Sequence, residues 1–498
     1  MRVTILLCAL LFLPLSAAQD SVDRTMVERI RREGLESSQV YATFSHLVTN
    51  IGPRLTASPE YKKAADWSRE QLTKWGLRDA RLENWEFGRG WALDKFTIEM
   101  IEPRYMPLIG YPEAWSASMD REVEAAPVFI GDKSPEELEL MKDRLSGAVL
   151  LTQPLQTSFI RDDRAQPTAA DYTAPPAPAP GTGGRGRGGR GANTGQGGES
   201  AAARRARILR EARPAVLLRT SRGEHGTMFV LGRDAGENAQ PTVILAGEHY
   251  NMIVRTMQAG IPVKLRVNLR SRYLDADRNG YNVLTELPGV DPAIRDEVVM
   301  IGAHLDSYHS APGATDNADG AAIALEAMRI LAVVGAKPRR TIRMALWGGE
   351  EEGLLGSREY VRRHLAGDAN TAARAKFSAY FNIDPGTGPI YGWFLQGQEE
   401  VRPMMDAWLE PFKDLGARRN VSQNIGNTDH LSFTAIGLPG FNPVQEYVDY
   451  DVRTHHTNVD TFERVREADL KQAAIVLASF AYHAAMRDEK LPRPPQSQ

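Results

Sequence analysis

From residue 290 onward, short and mostly apolar runs alternate with longer stretches of helical period. EVVMIGAH, TIRMALW and FSAYFNI read as strands, and the continuous apolar character of the first is the pattern expected where both faces of a sheet are covered. AAIALEAMRILAVVG and LLGSREYVRRHL follow the first two as helices. The former closes at Gly335 with Pro338 beyond it, and a further long helix covers about 467–486. This alternation predicts an α/β domain with a mostly parallel central sheet and helices on both faces. Its reactive groups belong in loops at the C-terminal ends of the strands.

Earlier in the chain the pattern is different. Residues 25–56 read as helical turns ending in the loop NIGPRLTAS. Ser58 suits an N-cap with Pro59 at the first helical position, and the helix that follows closes at Gly76 with Tyr61, Ala65, Leu72 and Trp75 able to share a buried face. Between 122 and 268 come short β-like runs, APVFIGD, GAVLLTQ, PAVLLRT, TVILAGE and VKLRVNL, with two short helical stretches. They predict a β-rich unit inserted into a larger domain whose two parts are 19–121 and 269–490. Inside that unit, residues 165–203 are dominated by Pro, Gly, Ala and Arg. Such a composition cannot bury a core, which predicts a disordered surface loop. The same stretch contains no aromatic beyond Tyr172 for stacking on bases, which disfavours an arginine-glycine nucleic-acid tail.

Composition narrows the chemistry. Apolar content of 42% and charged content of 25% over 498 residues are those of an ordinary globular protein, and a net charge of −3 makes no electrostatic case for nucleic acid or a membrane surface. Residues 1–18 resemble a signal peptide: Arg2 precedes an apolar run from Val3 to Leu15, with Ser16 and Ala18 at cleavage offsets. That run is too short to span a bilayer, so the expectation is a secreted or periplasmic protein without an integral membrane segment. Cys8 is the only cysteine and lies in the same segment, so a metal in the mature chain would be held by His, Asp and Glu.

Each strand end carries residues of that kind. His304-Leu305-Asp306 closes the first strand and Asp316 follows in GATDNADG. Glu350, Glu351 and Glu352 follow the second, and Asp384 follows the third in NIDPGTG. Asp429 and His430 lie in NTDHLSF, and His455 and His456 in THHTNVDT. Each alone has an ordinary explanation; Asp460 with Glu463, for example, fits a helix capping box first and support of the cluster second. Together they crowd carboxylates into one cleft, where they repel and resist ionisation unless cations neutralise them.

AHLDS, GATDNADG, EEEGLLGS, NIDPGTG and HHTNVDT, in this order, resemble the motifs of the co-catalytic zinc exopeptidases of the bacterial aminopeptidase type. The likeness is closest to their carboxypeptidase Q branch, through IGPRLTAS, GAKPRRTIRMALWGGEE and an insertion similar to a protease-associated domain. The resemblance implies two Zn2+ ions per chain, one held by His304 and Asp384, the other by Glu351 and His456, with Asp316 bridging. His456 is preferred to His455 because it directly precedes Thr457. Asp306 would orient the His304 imidazole. Metals polarise a scissile carbonyl and acidify water but do not shuttle protons. A carboxylate must do that, and neighbouring residues at an extended strand end point in opposite directions, so Glu350 can face the water while Glu351 binds metal. Glu352 then reads as a solvated first-turn residue. Asp429 and His430 resemble the loop at the substrate end of the cleft, where Asp429 would accept from a free amine.

The expected function is hydrolysis of terminal peptide bonds in short peptides, by an enzyme for which a homodimer is one candidate assembly. A single-zinc glutaminyl cyclase and a peptidase-like binding protein that has lost its ligands resemble the same fold. The presence of all five ligand positions weighs against the latter.

Overall fold

The computed structural model describes residues 22–170 and 199–494. Residues 1–18, read from sequence as a signal peptide, with Cys8, and most of the 165–203 stretch lie outside the described residues.

Seven strands form the main sheet, in the order Arg78–Glu86, Asn279–Leu287, Thr341–Trp347, Val298–His304, Phe377–Ile383, Gly440–Glu446, Thr387–Phe394. The middle four run parallel, and antiparallel strands close both edges. Side-chain alternation sorts the core. Val299, Ile301, Ile342, Met344 and Leu346 pack against the helices Arg24–Glu36, Asp319–Val333 and Glu467–Met486. Met300, Ala345, Trp347 and Tyr380 face the other way, onto Tyr360, Val361 and Phe433 of Leu355–His364 and His430–Thr434. Helices thus cover both faces, as the alternation of runs predicts. The antiparallel edge strands were not expected; the outermost of them on one side, RDARLENWE, lacks a continuous apolar run and buries only Trp85.

The chain leaves this sheet at Glu86 and rejoins it at Asn279 in the neighbouring strand. Between them it builds two more sheets. Four strands, Met106–Pro107, Gly90–Glu102, Lys264–Leu274 and Val123–Ala125, form one. The other contains Gly110–Pro112, Thr242–Leu245, Val216–Thr220, Val149–Leu151 and Val128–Phe129, parallel except for the first. These sheets draw on residues before 122 and after 268, because the long strands Gly90–Glu102 and Lys264–Leu274 pair with each other over most of their length. The described ends of 165–203 are also ordered. Gln166 Nε2 donates to the Gln445 carbonyl at 2.7 Å, Thr168 is buried, and Ser200 caps a helix from Ala201 to Ala212. No helix among the described residues is long and apolar enough to cross a membrane.

A buried ion cluster fastens the first helix to the core. Arg329, 2% exposed, donates to both carboxylate oxygens of Glu326 at 2.8 and 2.9 Å and to Glu33 at 2.8 Å. Glu326 also accepts from Ser38 Oγ and the Gln39 amide. Removing the cation leaves Glu326 buried and uncompensated, so Arg329→Leu is expected to cost about 3–5 kcal/mol. A urea midpoint unchanged from the parent protein would contradict this.

Candidate metal centre

Parallel strands end on the same edge of a sheet, and this brings the scattered motifs together. His304 is the last residue of its strand. The glutamates follow Trp347 after Gly348 and Gly349, and Asp384 follows Ile383. Asp316 enters from the turn Ala314–Ala318 ahead of the buried helix Asp319–Val333, and His455 and His456 follow the turn Tyr450–Thr454.

Asp316 lies between two groups. Its Oδ1 is 3.1 Å from His304 Nε2, which is 3.7 Å from Asp384 Oδ1. Its Oδ2 is 3.3 Å from His456 Nε2, which is 2.8 Å from Glu351 Oε2. His304 Nδ1 lies 3.0 Å from the Asp306 carbonyl. A carbonyl only accepts, so Nδ1 carries the hydrogen and Nε2 turns its lone pair toward the carboxylates. Lone pairs facing lone pairs in a buried place require a cation or a proton between them. His304 Nε2, Asp316 Oδ2 and both Glu351 oxygens are buried without a hydrogen-bond partner. Burial by itself lowers the His304 pKa, but Asp384, Asp306 and Asp316 outweigh it and hold it well above its ordinary value. Burial, reinforced by neighbouring carboxylates, pushes Glu350 and Glu351 far upward. The donors therefore suit a divalent cation: imidazole and carboxylate atoms converge, and their mutual repulsion is relieved only by positive charge.

The two adjacent histidines are not equivalent. His455 stacks on Tyr450 at 5.2 Å between ring centres and its Nε2 stays 4.0 Å from Asp316, whereas His456 reaches both Asp316 and Glu351.

Several expectations change. The glutamates occupy a turn, with Gly353 and Leu354 amides donating to the Glu350 carbonyl, so strand alternation does not separate Glu350 from Glu351. Glu350 is half-buried, while Glu351 is buried against His456. Glu352 is no solvated residue: both its carboxylate oxygens are buried without a partner, and burial pushes its pKa up to about 8. Asp306 touches His304 through its carbonyl, with its nearest carboxylate oxygen 3.6 Å from Nδ1. The carboxylate instead accepts from Thr56 Oγ1 and the Glu351 amide, both at 3.2 Å, so it steadies the glutamate turn from a fully buried position. Asp429 and His430, expected at an open substrate end of the cleft, are both 0% exposed. Burial raises Asp429 to about 7 and lowers His430 to about 4. Asp460 caps no helix: its two oxygens accept the Thr315 and Asp316 amides at 2.8 and 3.1 Å, holding the backbone of Asp316 itself.

Sequence reasoning missed Arg54, in IGPRLTAS. Fully buried, it donates to the carbonyls of Leu305, Gly52, Pro312 and Gly313 at 2.7–3.0 Å and thereby ties down the loop between His304 and Asp316. Burial lowers its pKa to about 10, while Asp460, Asp306 and Asp316 act to keep the charge. Only the run's place beside a helix cap hinted at a role, since arginine is no metal ligand.

Residues 282–481 match the family model described as Peptidase family M28. The likeness to that family lies in this segment of the chain. The protein is a peptidase, and its cluster of acidic and imidazole donors makes it a metal-dependent one. Carboxypeptidase Q of Homo sapiens is 25% identical over 468 residues, covering 92% of this chain and 88% of that one. The Pongo abelii protein of the same name is 29% identical over 254 residues, about half of each chain. Among solved structures, a peptidase M28 precursor from Shewanella amazonensis superposes with a TM-score of 0.70 at 24% identity, covering 95% of this chain and 99% of that one. BSAP, a zinc aminopeptidase from Bacillus subtilis, gives 0.59 at 18% identity over 91% and 96%. Both share the fold.

A cation that relieves this repulsion binds the folded chain and not the unfolded one. Zn2+ returned to chelator-treated protein at about 100 times its dissociation constant should therefore add about 2.7 kcal/mol of stability. Thermal melts with and without chelator measure it; coincident curves would contradict a metal centre.

Proposed function

We propose that the protein is an exported two-zinc exopeptidase that removes terminal residues from short peptides. The observation that carries the reading is Asp316, whose two oxygens point to separate donor pairs, His304 with Asp384 and Glu351 with His456. A carboxylate so placed suits two cations side by side, and this favours two ions over the single ion of a cyclase-like enzyme. Zinc is the metal in a neighbour of the same fold, and it suits nitrogen and oxygen donors. Export rests on the composition of residues 1–18.

Bound zinc would supply Lewis acidity toward the scissile carbonyl and toward water. The chain's own residues do the rest. His304, Asp384, Glu351, His456 and Asp316 would hold the ions. Glu350 keeps part of its surface open while its carboxylate lies within the charge field of His304 and Asp384, so it can take a proton from water and pass it to the leaving amine. Asp306 and Asp460 hold the ligand-bearing backbone still. Exopeptidase preference implies that one charged end of the substrate is neutralised in the cleft. Free dipeptides should then be cleaved rapidly and long peptides blocked at both ends hardly at all, and efficient cut sites inside a doubly blocked peptide would contradict this.

Three glutamine variants divide the work of the turn. Glu350→Gln should keep both metals and lower kcat by about 100-fold or more. Glu351→Gln should reduce zinc toward one per chain and lower the melting temperature. Glu352→Gln should retain metal and most activity, because glutamine has the shape of the protonated acid that burial favours. Metal analysis beside steady-state kinetics decides. Zinc loss in the first variant with retention in the second would shift the roles by one residue, and full activity in all three would end the hydrolase reading.

A further inference from the structure

His456 has a backbone φ of 62°, in the left-handed region that an L residue with a β-carbon occupies only when its surroundings impose it. Those surroundings come largely from outside the seven-stranded sheet. The Val230 amide donates to the His456 carbonyl at 3.0 Å, the Asn458 amide donates to the Met228 carbonyl at 3.2 Å, and Phe229 forms an antiparallel bridge with Thr457. Asn458 adds side-chain contacts on the same segment: its Oδ1 accepts from the Met228 amide at 2.6 Å and its Nδ2 donates to the Gly226 carbonyl at 3.3 Å. On the other side of the histidine, Asp163 caps the preceding turn by accepting the Asp449 and Val452 amides at 2.7 and 3.0 Å. Arg164 donates to Asp451, and Arg453 donates to the Glu224 carbonyl and Thr227 Oγ1 at 3.2 Å. Residues 163–164 and 224–230 all belong to the chain between the strands Arg78–Glu86 and Asn279–Leu287.

We infer that this intervening unit is a clamp for the metal centre: Asn458 and Asp163 are positioning residues that fix the left-handed conformation of His456 and so set the affinity of the ion it binds with Glu351. The inference rests on the reading of His456 as a zinc ligand. A ligand on an otherwise irregular loop loses affinity when it must be ordered at the moment of binding, and partners outside the ligand set typically change metal affinity by about 10- to 100-fold. Neither Asp163 nor Asn458 is among the proposed metal ligands, so their effect on the ion passes through the conformation of His456. His304 and Asp384 hang from the central strands and do not depend on it.

Zn2+ titration of the full-length protein against a competing chelator tests the clamp without reference to turnover. In Asn458→Ala and in Asp163→Ala, one of the two zinc affinities should fall by about tenfold or more while the other is unchanged. Asn458→Asp, which keeps the oxygen that accepts from Met228, should return close to the parent value. Melts of the metal-free proteins show whether each variant folds, and the two substitutions at separate contacts guard against one failing to do so. Parent-like affinity for both ions in the two alanine variants overturns the clamp, as does an equal loss at both ions without rescue by aspartate. If the unaltered protein holds a single zinc, the two-metal reading fails; the clamp then stands or falls on whether the same variants weaken that one ion.

Discussion

Carboxylate repulsion at one edge of a parallel sheet is the constraint around which the site is organised. Asp306, Asp316, Glu351, Glu352, Asp384 and Asp429 are buried there, or bury their carboxylate oxygens, within a short distance of two imidazoles. In water each would be ionised and hydrated. Burial and the neighbouring carboxylates raise the proton affinity of Glu351, Glu352 and Asp429, and a protonated cluster could neither bind metal nor shuttle protons. The fold tolerates them because it supplies other compensation: an imidazole whose hydrogen is pinned to a backbone carbonyl, amides that donate to Asp306 and Asp460, and a set of lone pairs aimed at positions a cation can occupy.

Rigid backbone makes that arrangement affordable. Arg54 brings a fully buried guanidinium under the site and directs its donors to carbonyls, leaving its charge for the cluster above. This combination differs from a salt bridge. A carboxylate partner would cancel the charge locally, whereas carbonyls satisfy the geometry and leave the field to act on Asp306, Asp316 and Asp460. The same loop positions Thr56, which joins the Asp306 carboxylate to the Gly349 amide at the start of the glutamate turn. One short segment ahead of the first long helix thus sets the loops of two different strands.

The two histidines of THHT illustrate how far the site depends on distant chain. In the sequence only the neighbouring Thr457 favours the second of them. The bridge to Phe229 and the left-handed backbone at His456 turn one imidazole toward Asp316 and Glu351 and leave the other stacked on Tyr450. A unit that contributes no donor atom therefore participates in choosing the donor.

Much was legible in the sequence alone. Continuous apolar runs marked the central strands, because a strand covered on both faces has no polar side to show, and parallel order placed His304, Glu351 and Asp384 at one edge before any coordinate was known. What the sequence could not decide were properties made by contacts between residues far apart in the chain. The edge strand Arg78–Glu86 pairs through backbone and carries little apolar signal. Glu352 looks solvated beside two other glutamates and glycine, yet its carboxylate is enclosed. Asp460 has the spacing of a capping box, yet it serves a turn more than 140 residues earlier. Arg54 has no local pattern at all, since its partners are main-chain oxygens that every residue possesses. Local periodicity reports which face of an element is buried; which polar atoms meet inside is set only when the elements pack, and there the tertiary structure alone decides.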